Sequence, residues 1–132
     1  MPMAGRKKAQ ISVETLLVFL VFLILLGIAY TATTRLGSAS QKSINTALSR
    51  ESFNELSSKA EQVCILGDGN VRVVSIKGEA ATLTAQGNSL KFETASGFSD
   101  SYPLSCTLDI QQQSPSRTFT VENIGGTKVK IS

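Results

Sequence analysis

The chain has 132 residues, with 13 basic and 10 acidic side chains, no histidine and a formal net charge of +3. Three of the basic residues, Arg6, Lys7 and Lys8, lie in the first nine positions, so the remaining ten basic side chains balance the ten acids. The excess of positive charge is therefore confined to the N-terminus and does not indicate a nucleic-acid-binding protein. The absence of histidine removes the commonest general base and the commonest metal ligand.

A polar junction precedes a long uncharged segment near the N-terminus. The basic leader runs into Gln10-Ile11-Ser12-Val13-Glu14, and the 20 residues 15–34 carry no charge. A helix of that length crosses the roughly 30 Å hydrocarbon core of a bilayer. In a secretory signal peptide the cleavage site follows the apolar stretch, whereas here the cleavable-looking junction precedes it. Cleavage at this junction would leave the apolar helix on the mature protein.

The helical pattern continues beyond the apolar segment. Residues 36–66 contain no proline, and their apolar residues recur at intervals of three and four. Counted at 100° per residue, these residues form two sets on roughly opposite sides of a helix. The first set is Leu36, Ala39, Ile44, Ala47 and Leu48, and the second is Phe53, Leu56, Ala60, Val63 and Cys64. Two apolar faces predict two burial partners. The second set is predicted to pack against the protein's own C-terminal domain. The alternative to a continuous helix is a helix–turn–helix break at residues 49–52. In either case Gly67 is the predicted end of the helix.

From residue 71 onward the hydrophobic pattern alternates. Short β-rich runs separated by turn residues recur about every ten residues, which is typical of an antiparallel meander or small sandwich. They predict about six strands, at residues 71–76, 81–84, 90–94, 105–110, 118–121 and 128–131, with a looser segment at 97–103. The predicted fold class is therefore α+β, with a long N-terminal α-helix, hydrophobic in its first half, followed by a small antiparallel β head domain.

The two cysteines are predicted to stabilise this small domain. A β domain of this size buries little apolar surface by itself. Cys64 lies at the predicted helix end and Cys106 lies in a predicted strand. Outside the cell a disulfide between them would persist. Two buried free thiols are the alternative.

Motifs for catalysis or cofactor binding are weak throughout the chain. Two cysteines without histidine do not make any of the usual zinc sites. Gly67-Asp68-Gly69 has the first two glycines of a dinucleotide-binding fingerprint, but Arg72 stands where the third is required. We therefore expect no enzymatic activity, no catalytic residues, no cofactor and no metal.

The N-terminal junction resembles the class III signal peptide of archaeal type IV pilins. The matching residues are Gln10, Ser12 and Glu14, preceded by the basic leader and Ala9. Val18 departs from the leucine that the family often has at this position, but it is also apolar. The resemblance implies that a membrane-bound prepilin peptidase cuts between Ala9 and Gln10. The implied processing site consists of Ala9, Gln10, Ser12 and Glu14.

The same resemblance implies a filament subunit. Residues 1–9 would be the cleaved signal peptide, 10–66 the long helix with 15–34 as transmembrane segment and later filament core, and 67–132 the globular head. The implied polymerisation core is Glu14, Leu16, Leu17, Phe19, Leu20, Phe22, Leu23 and Leu26. The implied partners are identical subunits, the peptidase, an assembly ATPase and a membrane platform protein. The subunit would reside in the cell membrane and then in an extracellular, adhesive pilus.

Two other functions fit the same sequence features. A minor pilin or pseudopilin would initiate or cap a filament without forming its bulk. A membrane-anchored extracellular β-domain would bind a partner and never polymerise. The second alternative predicts an N-terminus that is not cleaved.

Overall fold

The computed structural model describes the backbone of residues 3–132 and the side chains from residue 12 onward. One long helix is followed by seven strands in two sheets, which confirms the α+β fold class. The chain forms two compact units, Met1–Gln41 and Lys42–Ser132. The C-terminal part of the helix therefore belongs to the same unit as the strands.

The helix α1 (Met3–Leu66) is continuous. The helix–turn–helix alternative at residues 49–52 is therefore wrong, because the change of buried face occurs without a break in the helix. The helix ends where predicted, at Gly67, whose φ of 83° is the left-handed conformation that favours glycine. The side chain of Asn70 donates hydrogen bonds to the carbonyls of Leu66 (3.1 Å) and Gly67 (3.0 Å). These bonds satisfy backbone acceptors that the helix end leaves without an intrahelical partner.

Seven strands follow the helix. They are β1 (Val71–Ser75), β2 (Ala81–Gln86), β3 (Ser89–Thr94), β4 (Ser99–Pro103), β5 (Thr107–Ile110), β6 (Thr118–Gly125) and β7 (Lys128–Ile131). The first sheet has the order β1-β6-β7-β5 and the second the order β2-β3-β4. All pairings between these strands are antiparallel except that of β5 with β7, which is parallel. The prediction of six strands missed β4, because its five residues are all exposed and show no apolar alternation.

The inner faces of both sheets share one hydrophobic core with the C-terminal part of α1. The helix face that was predicted to pack under the head is buried here, with Phe53, Leu56, Ala60 and Val63 each at most 3% exposed. The ring of Phe53 lies 5.5 Å from the ring of Phe92 on β3, within the range of a favourable aromatic pair. The second half of the helix is thus a core element of the head.

Polar contacts fix the position of the helix against the turns of the head. The hydroxyl of Ser52 accepts a hydrogen bond from the backbone N–H of Lys77 at 2.8 Å. The carboxylate of Glu79 accepts from the backbone N–H of Ser96 at 3.0 Å and from the side chain of Asn45 at 3.5 Å. A hydrogen bond from the Lys77 amine to Glu51 raises the pKa of that exposed amine above its usual value.

Replacing Leu56 by alanine tests the contribution of the helix to the head core. Leu56 is fully buried and Leu36, on the same helix, is 71% exposed. We expect Leu56→Ala to lower the free energy of unfolding by roughly 2–5 kcal/mol, because it leaves a cavity in the core. The matched control Leu36→Ala should change it by no more than about 0.5 kcal/mol. Denaturant unfolding of the detergent-solubilised full chain, followed by circular dichroism of the strands, measures both values. Equal effects of the two variants would contradict the packing described above.

Candidate assembly surface

The N-terminal part of α1 presents an extended apolar surface. Every side chain of residues 12–44 is exposed in the isolated chain. The large apolar side chains among them include Leu16, Leu17, Phe19, Leu20, Phe22, Leu23 and Leu26, each at least 49% exposed. Soluble monomers rarely expose contiguous apolar patches larger than a few hundred Å². This surface therefore requires a partner outside its own chain, either lipid or protein.

The apolar side chains lie on all sides of the helix. At 100° per residue, consecutive positions from residue 16 to residue 26 cover the full circumference, and all of them are apolar. A helix that is apolar all round is a membrane span or is surrounded by other protein elements. A coiled-coil dimer would bury only a narrow stripe and leave the opposite face in water. By length and composition, α1 is able to cross a membrane.

Hydroxyl side chains at the end of the apolar segment are satisfied by their own helix. Thr31 donates to the carbonyl of Ile28 at 2.9 Å, and Thr33 donates to that of Ala29 at 2.8 Å. Thr34 likewise donates to the carbonyl of Thr31 at 3.0 Å. Threonine therefore adds little polarity to this surface, because its hydrogen-bonding group is already engaged.

The predicted processing residues fall at the edge of the described region. The side chains of Ala9 and Gln10 lie outside the described residues, so the cleavage site stays a prediction. Ser12 and Glu14 are on α1 and exposed. Glu14 is the one charged side chain among residues 12–34, and the apolar segment follows it directly.

The first of the two predicted helix faces is largely without a partner in its own chain. Leu36 and Ile44 are exposed, as are Ala39 and Ala47. Leu48 is the exception because it is half-buried against the β1–β2 turn. A Cβ at Gly78 in that turn would lie 3.4 Å from the Cβ of Leu48. The apolar surface that lacks a partner thus ends where the head begins.

A disulfide joins the end of α1 to the head. Cys64 and Cys106 are bridged, with their Cα atoms 5.9 Å apart, which confirms the predicted pairing. Cys106 is buried in the shared core, directly before β5. Disulfides persist in oxidising compartments and are rare in the cytosol. The bridge therefore indicates an extracellular location for the head, and the apolar helix indicates membrane insertion or secretion.

The head also carries an open groove of about 620 Å³ between the β3–β4 turn and the segment before β6. Its lining includes Glu79, Glu93, Phe98 and Arg117. No group of three or more His, Cys, Asp or Glu residues that could hold a metal ion occurs among the described side chains.

Comparisons with known proteins yield no relative. No family model, no curated protein and no solved structure matches the chain. The architecture itself, an apolar N-terminal helix followed by a small β head, is pilin-like.

Removing the disulfide tests its contribution to the head. The bridge closes a loop with a sequence separation of 42 residues. The loop-entropy model assigns it about 4 kcal/mol of stability. We expect Cys64→Ser combined with Cys106→Ser to lower the free energy of unfolding by that order, measured by denaturant titration against the oxidised wild type. Peptide mapping without reductant should recover the two cysteines linked. Free thiols in protein that has never been reduced would contradict the bridge.

Proposed function

We propose that this chain is a structural subunit of an extracellular filament of the type IV pilus kind, and that it polymerises through α1. The observation that supports the proposal is the circumferential apolar surface of residues 16–26, exposed in the isolated chain and followed by a folded head. A binding domain that is only anchored to the membrane would need an apolar helix. It would not need the N-terminal motif order described above. That order, with a cleavable-looking junction before the apolar helix, is typical of subunits that keep the helix after processing.

The physical basis of assembly is an exchange of apolar surroundings. In the bilayer, lipid surrounds the helix on all sides. In a filament, the helices of neighbouring subunits would surround it instead, and this exchange gains little net free energy because both environments are apolar. Outside the membrane, separation of the helices would expose them to water, which opposes disassembly. The hydroxyls that bond back to the helix are compatible with either environment.

Glu14 has a distinct role in this proposal. Its charge at the border of the apolar segment is costly in an apolar bundle unless it faces a partner. After cleavage, the α-amine of Gln10 on a neighbouring subunit would provide an opposite charge. Such a pair would fix the axial register between subunits. If Gln10 cyclises, hydrogen bonds from neighbouring hydroxyls would take over this function.

A second candidate function is a membrane-anchored domain that binds a ligand and does not polymerise. The groove lined by Phe98 and Arg117 favours it, because its volume lies in the range of ligand sites. In this case α1 would serve only as an anchor. The N-terminus would remain uncut, and the protein would stay in the membrane fraction after mechanical shearing. A minor pilin would instead be cleaved but scarce in sheared filaments.

The mass of the mature subunit tests processing. We expect filaments sheared from the source cells to contain a chain that lacks residues 1–9, with loss of ammonia if Gln10 is cyclised. Intact-mass spectrometry of the purified filaments measures this. A mature protein that retains Arg6, Lys7 and Lys8 would overturn the proposal.

Replacing Glu14 by alanine tests its role in assembly. We expect cleavage to proceed and the head to fold, while the number of surface filaments falls about tenfold or more, as expected for loss of a charge pair in an apolar setting. Glu55→Ala is the matched control, because Glu55 is an acid on the same helix in a surface ion pair with Lys59. Electron microscopy of cells expressing each variant gives the counts. Normal filaments from cleaved Glu14→Ala subunits would show that this acid does not set the register.

A further inference from the structure

The charges of the chain are unevenly distributed along its length. Between Glu14 and Glu51 the only charged residues are Arg35, Lys42 and Arg50, which we call the basic stretch. All three are exposed, and none forms an ion pair with any other described residue. Residues 51–132 carry nine acids and seven bases. The basic stretch therefore has a net charge of +3 and the remaining head sequence a net charge of −2.

A groove on the head offers a complementary site. It has a volume of about 310 Å³ and lies between α1 and β4. We call it the Glu61 groove, and its lining includes Asn54, Ser58, Glu61, Gln62, Ile65 and Tyr102. Glu61 is its one ionisable acid, and no cationic side chain lines it. Asp100 lies two residues before Tyr102 on β4 and hence on the same face of that strand.

The carboxylate of Glu61 is held in a fixed orientation. One oxygen accepts a hydrogen bond from the backbone N–H of Ser105 at 3.3 Å, and the other accepts from the Ser105 hydroxyl. Ser105 precedes the disulfide residue Cys106, so its position is fixed covalently to the end of α1. Each carboxylate oxygen keeps a second lone pair for a further donor. An oriented carboxylate binds a cation with less loss of side-chain entropy than a free one.

The remainder of the groove suits the stem of a long basic side chain. Ile65 and Tyr102 are both exposed and offer apolar surface beside the carboxylate. Lysine and arginine place their methylene groups on such surfaces while the charged end reaches a polar partner. An aromatic ring also attracts a cation placed over its face.

Addition of a β-strand from a partner is disfavoured at this edge. The backbone N–H of Ser101 is already bonded to the side chain of Asp100 at 2.8 Å. Pro103 has no N–H to donate. Two of the five residues of β4 therefore provide no backbone donor to an added strand. Such features are typical of protected sheet edges, so the groove is better suited to a side chain than to a strand.

We propose that the Glu61 groove of one subunit binds the basic stretch of a second copy of this chain, with Arg35 or Lys42 paired to Glu61. These two cations lie seven residues apart and thus on one face of α1. The inference rests on the proposed filament, because it names a contact between neighbouring subunits. It is distinct from the apolar helix packing, since it joins the head of one copy to the helix of another.

The helix geometry excludes the contact of Lys42 with Glu61 within one chain. Glu61 lies 19 residues after Lys42 on the continuous helix α1. At 1.5 Å per residue, the two are about 28 Å apart. A cross-link of zero length between them must therefore join two subunits.

Carbodiimide cross-linking of assembled filaments tests the contact. The reagent condenses a carboxylate with a neighbouring amine to an amide, with loss of water. We expect a Lys42–Glu61 link in filaments of the wild type, or a link from residue 35 to Glu61 in an Arg35→Lys variant, mapped by mass spectrometry. The same link should be absent from detergent-dispersed monomers. Filaments in which neither amine links to Glu61 would overturn the proposal.

Charge reversal provides the second readout. We expect Glu61→Lys to reduce filament number about tenfold, as for loss of a charged contact of about 1.4 kcal/mol. Adding Arg35→Glu and Lys42→Glu should restore it. Glu122→Lys is the matched control, because Glu122 is a head acid without an ion pair among the described residues. Glu61→Gln keeps an acceptor for Ser105 and therefore separates loss of the charge from loss of the Ser105 contact. Denaturant unfolding checks that the head of each variant is still folded.

The outcomes distinguish this contact from the proposed function. Normal filaments from Glu61→Lys would overturn the proposed contact but would leave the proposed filament function standing. Wild-type cells that make no filament would overturn both. If Arg35→Glu with Lys42→Glu lowers membrane insertion of the precursor and no link to Glu61 forms, the basic stretch binds anionic lipid and the contact is overturned.

Discussion

The exposed apolar surface of α1 is the constraint on which the rest of this protein depends. No side chain of residues 12–44 is buried by its own chain. A helix that is apolar on every side cannot be accommodated by one small head, because the head would cover only one face. The burial of this segment therefore has to come from many neighbours, and lipid or a bundle of identical helices can supply them. The head must then fold without drawing on the most hydrophobic part of the sequence.

The helix serves two environments without a break in its backbone. From Ser12 to Ile44 its side chains are exposed, and from Ser49 onward one face lies in the core of the head. Phe53, Leu56 and Val63 belong to the same hydrophobic core as the strands, so the helix adds apolar surface to a head that is small by itself. The C-terminal part of the helix is attached to the strands by this shared core. The disulfide at Cys64 and the capped helix end at Gly67 complete this attachment.

Much of this architecture was predictable from the sequence, for identifiable reasons. The helix end at Gly67 and the buried face around Leu56 each follow from a strong local signal. The pairing of Cys64 with Cys106 followed instead from the small size of the β domain and the expected extracellular setting. Strand β4 was not predictable, because Ser99–Pro103 pairs through its backbone while its side chains remain exposed. The parallel pairing of β5 with β7 depends on contacts distant in sequence. The hydrogen bonds from Ser105 to Glu61 join residues 44 positions apart and have no sequence signature.

The disulfide also bears on how the chain would respond to tension. A force that pulled α1 along its axis away from the strands would act on the buried contacts of Phe53, Leu56 and Ala60 and on the bridge at Cys64. Rupture of the noncovalent contacts alone would not free the helix, because the bridge joins its end covalently to Cys106, directly before β5. Reduction of the bridge would leave only the noncovalent contacts to resist that force, so the mechanical strength of the head would depend on the redox state of its surroundings.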